Sequence, residues 1–168
     1  FVVSGPEVTA TLESLVPVDL EGLEDHRQTY ALLTNEQGGV RDDLIITRWS
    51  DDSFFLVVNA ACKGEDRVWI ESHLSAGQKL EELESQALLA LQGPAAREAL
   101  SELIPEAREL TFLQGMHCEL DGAKLYVTCS GYTGEDGYEL SVPAEHAEAL
   151  AERLLANASV AAIGLGAR

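Results

Sequence analysis

A five-residue pattern occurs twice in this chain. Val2-Val3-Ser4-Gly5-Pro6 and Ala90-Leu91-Gln92-Gly93-Pro94 both run from a strand-like stretch into Gly-Pro, 88 positions apart. Phe54 to Val58 and Tyr138 to Val142, each followed by a helical segment, form a second matched pair, 84 positions apart. Two offsets this close predict two copies of one unit: strand, Gly-Pro helix, two or three antiparallel strands, helix. That is an α+β layered design with antiparallel sheets, not a doubly wound parallel sheet. The units expected are residues 1–85 and 86–168.

Local signals fill in each copy. Pro6 suits the first helical position, where its missing N–H has no intrahelical partner to lose. Val8, Leu12, Leu15 and Val16 then share one helical face. Gln28 to Thr34 read as extended and Gly38-Gly39 as a turn. Leu44 to Ile46 and Phe54 to Val58 read as strands joined through Asp51-Asp52. Lys63 to Leu74 read as a helix, with Asp66, Trp69, Ile70, His73 and Leu74 in phase. Gln78 to Ser85 read as a polar surface connection. In the second copy Leu88 to Leu91 form the strand, and Leu100, Leu103 and Ile104 are the inward residues of the next helix. Asp121-Gly122 is a hairpin turn between Cys118-Glu119-Leu120 and Leu125-Tyr126-Val127. Ala144 to Ala156 is a third strong helix with the apolar stripe Ala147, Leu150, Ala151, Leu154 and Leu155.

Charge narrows the function classes. The 168 residues carry 29 Asp and Glu against 11 Lys and Arg, a net charge of −18. Such a surface repels phosphate backbones and anionic bilayers, so neither nucleic acid nor membrane is an expected partner. The longest apolar runs are far too short to span a bilayer. Cys62, Cys118 and Cys129 are isolated, without a CxxC pair or zinc-type spacing, so reduced thiols and no metal are expected. The N-terminus lacks a signal peptide pattern. The chain opens without Met and reads as a piece of a longer protein.

Two segments could carry chemistry. In Asn35-Glu36-Gln37-Gly38-Gly39-Val40-Arg41-Asp42-Asp43-Leu44, two carboxylates follow a tight glycine turn. Neighbours in a strand face opposite ways, so Asp42 and Asp43 cannot both face one site. Asp43, Ile45 and Thr47 share one face; Asp42, Leu44 and Ile46 share the other. The residues alone leave open which is the inward acid, and an ordinary acidic turn is the bland alternative. In Ser130-Gly131-Tyr132-Thr133-Gly134-Glu135-Asp136-Gly137-Tyr138-Glu139, three glycines permit close backbone approach, and Tyr132 and Tyr138 supply flat surface. Glu139 could meet two adjacent N–H donors of a heterocycle with its two oxygens. The loop has no P-loop Lys and opens no helix, so it is not a phosphate cradle. A long hairpin turn is the alternative. Asn59, ending a strand, either caps the next helix or points into a site. The GxG of Gly164-Leu165-Gly166 before Arg168 signals little by itself. His26, His73, His117 and His146 form no recognisable nucleophile–base pair.

Five blocks together resemble the glycine cleavage system T-protein (aminomethyltransferase) family. They are Leu33 to Leu44, Val57-Val58-Asn59-Ala60-Ala61, Leu91-Gln92-Gly93-Pro94, Gly131 to Glu139 and Gly164-Leu165-Gly166-Ala167-Arg168. They come in the family's order and cover nearly the whole chain. The resemblance implies the middle part of a three-domain fold, with tetrahydrofolate bound between the two units. It implies transfer of the methylene carbon of an aminomethyl group on lipoylated H-protein to tetrahydrofolate, with release of ammonia. Carried over by position, Asp43 is the essential acid. Glu139 hydrogen-bonds the pterin, and Arg168, Tyr132 and Tyr30 lie against the folate, with Asn59 in the same pocket. Arg41 departs from the family pattern, which has an aliphatic residue there; on alternation it shares the Asp43 face, to depress that acid's pKa or point to solvent. With the third domain missing, these residues alone are expected to bind folate weakly and turn over little. The acidic balance leans toward a bacterial cytoplasm rather than a mitochondrial matrix, the matrix being the expected place only if the source is eukaryotic.

The resemblance leaves rivals. Folate-binding domains of dimethylglycine and sarcosine dehydrogenases share the pattern, but no flavin fingerprint occurs here. Non-catalytic folate-binding proteins of iron–sulfur assembly carry a Cys-containing version of the Tyr-Thr-Gly loop, where this chain has Ser130-Gly131. A regulatory domain that lost its chemistry would not need Asp43 and Glu139.

Overall fold

The structure is a computed structural model and describes residues 1–164 and 166. The chain divides into two compact units, Phe1–Glu84 and Ser85–Arg168.

The first unit runs β1 (Val2–Ser4), α1 (Val8–Glu13), β2 (Gln28–Thr34), β3 (Val40–Ser50), β4 (Ser53–Val57), α2 (Lys63–Glu71) and β5 (Lys79–Glu81). Its five strands form one antiparallel sheet in the order β2-β3-β4-β1-β5. The second runs β6 (Gln86–Gln92), α3 (Ala96–Ser101), a short 3₁₀ helix at Pro105–Glu109, β7 (Gln114–Leu120), β8 (Ala123–Cys129), β9 (Gly137–Pro143) and α4 (Ala144–Leu155). Its sheet is antiparallel with the order β6-β9-β8-β7. Read from the other edge, this is the first sheet's order with β7, β8, β9 and β6 standing for β2, β3, β4 and β1.

The repeat holds at the level of single residue pairs. Val3 faces Phe54 across β1 and β4. Residue 3 moved by 88 is Leu91, and residue 54 moved by 84 is Tyr138. Leu91 faces Tyr138 across β6 and β9. Val3, Phe54 and Tyr138 are all fully buried. Each unit has its own apolar core: Val3, Val8, Leu12, Leu33, Ile46, Phe54 and Ile70 in the first, Leu91, Leu100, Val127, Tyr138, Leu140 and Leu150 in the second. Burying each such side chain contributes about 1.5–3 kcal/mol. Tyr138 adds a polar tip to its Phe54 counterpart, and its hydroxyl donates to the Ala107 carbonyl at 3.1 Å.

The Gly-Pro joints work as turns. Pro6 and Pro94 lie two residues ahead of α1 and α3, not at the first helical position. The Val8 amide donates to the Gly5 carbonyl and the Ala96 amide to the Gly93 carbonyl. Each proline is the second residue of a closed four-residue turn, where its fixed φ is already correct. Gly5 and Gly93 have φ of 131° and 119°, a conformation that side chains rarely adopt.

Three other expectations need adjusting. Gln78 to Ser85 contains the edge strand β5, where Leu80 pairs with Val3. Three residues with one apolar member carry too little period to be read as a strand. Helix α1 stops at Glu13, and Leu15 and Val16 are buried from the turn that follows. Helix α2 stops at Glu71, short of Leu74. The hairpin at Asp121-Gly122 has φ of 52° and 81°, the two positive values that a two-residue turn with the strands' own twist requires. Among the described residues no helix is long and apolar enough to cross a membrane.

Candidate active site

The first constellation grows from the register of β3. Asp43 pairs with Leu32 and Ile45 pairs with both Tyr30 and Val57. Residues directly opposite share a sheet face, so Tyr30, Leu32, Asp43 and Ile45 lie on one side. Tyr30 and Leu32 are exposed on it, 39% and 43%, and Asp43 is exposed with them. Continuing the Ile45–Val57 register by two residues places Asn59 opposite Asp43, just beyond the end of β4. Asn59 Nδ2 donates to Asp43 Oδ1 and to the Asp43 carbonyl, both at 3.1 Å.

Asn59 is itself held tightly. Its Nδ2 reaches Asp42 Oδ1 at 2.9 Å, and its backbone N–H donates to Asp42 Oδ2 at 3.1 Å. Its carbonyl accepts from the amides of Cys62 and Lys63, which start α2. The Asn59 main chain thus closes the turn into α2, while its side chain goes to Asp42 and Asp43 rather than capping the helix.

The buried acid is Asp42, 6% exposed on the core face beside Leu44 and Ile46. Burial pushes its carboxyl up, but hydrogen bonds from Asn59, Asp66 and Cys62 outweigh burial and the net shift is downward. Its neighbour Asp66, in the first turn of α2, is 1% exposed. Burial, the hydrogen bond to Asp42 and the Asp42 charge together push Asp66 up to about 7. Arg41 does not settle on Asp43. Its guanidinium lies 4.5 Å from the centre of the Trp69 ring, and its charge draws the Asp66 pKa down. Asp66 was legible only as an acid in phase with Trp69 and Ile70. Its pairing with Asp42 was not.

The second constellation is built on β9. Glu139 is half-buried and lies opposite Thr128 on one side and Ala90 on the other. The Ser130 hydroxyl donates to Glu139 Oε2 at 3.0 Å and lies 3.0 Å from the Thr128 hydroxyl. Ser130 is buried and Glu139 half-buried, so this hydrogen bond is partly withdrawn from water. The Ser130 hydroxyl thus fixes one carboxylate oxygen of Glu139.

The glycine-rich loop before Glu139 is shaped by Gln92, which the sequence places in the repeat and in the Leu91-Gln92-Gly93-Pro94 block without a role in that loop. Gln92 Nε2 donates to the Ser130 carbonyl at 2.9 Å and the Tyr138 carbonyl at 3.3 Å. The Gln92 amide fills the space that a side chain at Gly131 or Gly137 would need. The loop base is closed by the Ser130 amide on the Gly137 carbonyl, and Asp136 is tied down by Arg97 at 2.9 Å. Tyr132, 61% exposed, projects from this frame. Arg168 lies outside the described residues.

Thus Tyr30 and Asp43 share one sheet face of the first unit, and Asn59 bonds Asp43 from just beyond the end of β4. Glu139 and the loop bearing Tyr132 adjoin on the other sheet, in the second. Both carboxylates are reachable and each is oriented by a neutral donor. A carboxylate so placed can accept N–H groups or stabilise positive charge. Among the described residues no group of three or more His, Cys, Asp or Glu is placed to hold a metal ion.

Comparison with known proteins is consistent across sequence and structure. Residues 1–168 match the family described as GCVT N-terminal domain. The chain is 39% identical over 170 residues to a probable mitochondrial aminomethyltransferase of Schizosaccharomyces pombe, covering 99% of this chain and 44% of that protein. It is 41% identical over 176 residues to an aminomethyltransferase of Geobacillus kaustophilus, covering 100% and 48%. The crystal structure of glycine cleavage system aminomethyltransferase T from Bartonella henselae superposes with a TM-score of 0.91 at 39% identity, over 99% of this chain and 45% of that one. The chain therefore spans less than half the length of these relatives.

Proposed function

The chain belongs to the GCVT N-terminal domain family, and on that premise we propose that it is the folate-handling part of an aminomethyltransferase of the glycine cleavage system. The reaction moves the methylene carbon of an aminomethyl group on the lipoyl arm of H-protein to tetrahydrofolate. The carbon–sulfur and carbon–amine bonds break, two bonds to folate nitrogens form, and ammonia and the reduced lipoyl thiol leave. Tetrahydrofolate supplies the nucleophilic nitrogens when bound.

The side chains then divide the work. Asp43 lies beside the reacting nitrogens, stabilises the positive charge that develops there and takes up or directs the proton. Its reachable carboxylate, with Oδ1 held by Asn59 Nδ2 at 3.1 Å, is the observation that carries this reading. Glu139 accepts N–H donors of the pterin, with Oε2 already engaged by Ser130. Tyr30 and Tyr132 offer flat surface to the ligand, and Arg168 a cation. Much of the rate enhancement then comes from positioning. The protein works in a bacterial cytoplasm or a mitochondrial matrix.

The test is tetrahydrofolate-dependent ammonia release from aminomethyl-loaded H-protein by the full-length protein. Asp43→Asn is expected to lower turnover by about 10²–10⁴-fold. Turnover like wild type would remove Asp43 from the mechanism. These residues in isolation are expected to bind folate weakly; calorimetry showing micromolar affinity would contradict that.

A further inference from the structure

We propose that Asp42, Asn59 and Asp66 form a positioning relay that sets the orientation of the Asp43 carboxylate. This deepens the proposed function and rests on its assignment of Asp43.

The relay is continuous. Asn59 Nδ2 spans the Asp42 and Asp43 carboxylates, at 2.9 Å from Asp42 Oδ1 and 3.1 Å from Asp43 Oδ1. The Asn59 main chain is locked to Asp42 Oδ2 as well. An exposed carboxylate on an open sheet face would otherwise sample several rotamers. Here its orientation follows Asn59, and Asn59 follows Asp42.

Asp42 in turn depends on Asp66. Both are buried, 6% and 1% exposed, and two buried carboxylates in contact cannot both be ionised. A hydrogen bond between them needs one proton, and the lowered Asp42 and raised Asp66 pKa both favour that arrangement. Asp42 already receives two donors from Asn59. Asp66 Oδ2 is buried with no hydrogen-bond partner among the described residues. An oxygen that receives no donor is the one suited to carry the proton, so Asp66 is the acid and Asp42 the carboxylate.

The charged and titratable groups that bear on this pair include Arg41 from β3, Cys62 and Glu65 from the start of α2, and Asp43, which accepts from the same Asn59 amide. Glu65 and the Asp42 charge keep the Asp66 proton on; Arg41 favours its loss. When Asp66 loses its proton the Asp42–Asp66 hydrogen bond becomes a repulsion. Asp42 then shifts, and Asn59 releases Asp43.

Full-length protein tests this with kinetics in four arms. Asn59→Ala is expected to lower kcat by about 10–100-fold with KM for tetrahydrofolate changed by less than about threefold, as expected for misplacement of a reacting group. In an Asp43→Asn background the same substitution is expected to add almost nothing, because the relay acts only through Asp43. Wild-type turnover is expected to fall as pH rises through about 7. Asp66→Asn, whose amide donates to Asp42 at every pH, is expected to lose that alkaline fall. A loss at Asn59 that is fully additive with Asp43→Asn, or an unchanged alkaline limb in Asp66→Asn, would overturn the relay. Wild-type-like turnover of Asp43→Asn alone would instead overturn the assignment on which it rests.

Discussion

Gln92 reaches Ser130 across 38 positions of sequence and donates its side-chain amide to the Ser130 carbonyl at 2.9 Å. That single contact ties the Gly-Pro joint after β6 to the loop in front of Glu139. It also accounts for two glycines, since Gly131 and Gly137 leave room for the Gln92 amide.

Gly137→Ala is therefore expected to destabilise by about 1–3 kcal/mol through overpacking. Gln92→Ala is expected to cost about 1–2 kcal/mol by leaving the Ser130 and Tyr138 carbonyls without their donor. The double variant should cost less than the sum, because the clash needs the Gln92 side chain. Urea unfolding of all three variants measures the coupling, and simple additivity would refute the wedge.

Gly122→Ala supplies the contrast. Gly122 has φ of 81° and open space where a methyl group would stand, so the penalty is conformational alone. The expected loss is about 1 kcal/mol, and no second-site substitution should relieve it. A loss recovered by trimming a neighbour would show a steric cause.

Ser130→Ala removes the hydroxyl that holds Glu139 Oε2. In the full-length protein the expected result is a rise in KM for tetrahydrofolate of about 3–10-fold, equivalent to one ordinary hydrogen bond, with kcat much less affected. Steady-state kinetics separate the two. A fall confined to kcat would place Glu139 in the chemistry rather than in binding.

Stability should also report on Asp66. Its pKa is raised in the folded state to about 7, above the ordinary carboxylate value that the unfolded chain has. The folded state thus holds a proton that the unfolded state has lost. Its contribution is full below the unfolded pKa and is lost as pH rises through the folded one, from about pH 4 to about pH 7. Asp42 works the other way: its lowered pKa gives stability that disappears in acid. Denaturant midpoints measured across this range should fall with rising pH in wild type and fall less in Asp66→Asn. Equal slopes in the two proteins would mean that Asp66 is ionised in the fold.

Arg41 has a measurable role in the same cluster. Arg41→Leu removes the stacking on Trp69, worth about 0.5–1 kcal/mol at an exposed site. It also removes the charge that favours ionised Asp66, so the Asp66 transition should move to higher pH. Carbon-13 NMR of the Asp carboxyl groups would follow it, and a downward move would contradict the assignment.

Much of the fold was legible because it follows from local rules. Strand β2 matches the extended run Gln28 to Thr34 residue for residue. The Asp121-Gly122 hairpin follows from the φ values those two residue types tolerate. The two offsets of 88 and 84 meet in the paired residues Leu91 and Tyr138, because a duplicated unit keeps its strand register. The short strand β5 was not legible, since it exists only by pairing with β1.

Sequence alone determined the antiparallel α+β repeat, the turns that close it, and the short list of acids and aromatics able to serve a heterocycle. It could not choose between Asp42 and Asp43, because alternation separates two faces without saying which one meets a core. Tertiary packing made that choice: Leu44 and Ile46 turn inward and carry Asp42 with them, leaving Asp43 outside in the grip of Asn59. The burial of Asp42 beside Asp66 and the Gln92 wedge depend on the same cause. They are contacts between residues distant in the chain, and their energies exist only once burial has removed water from both partners.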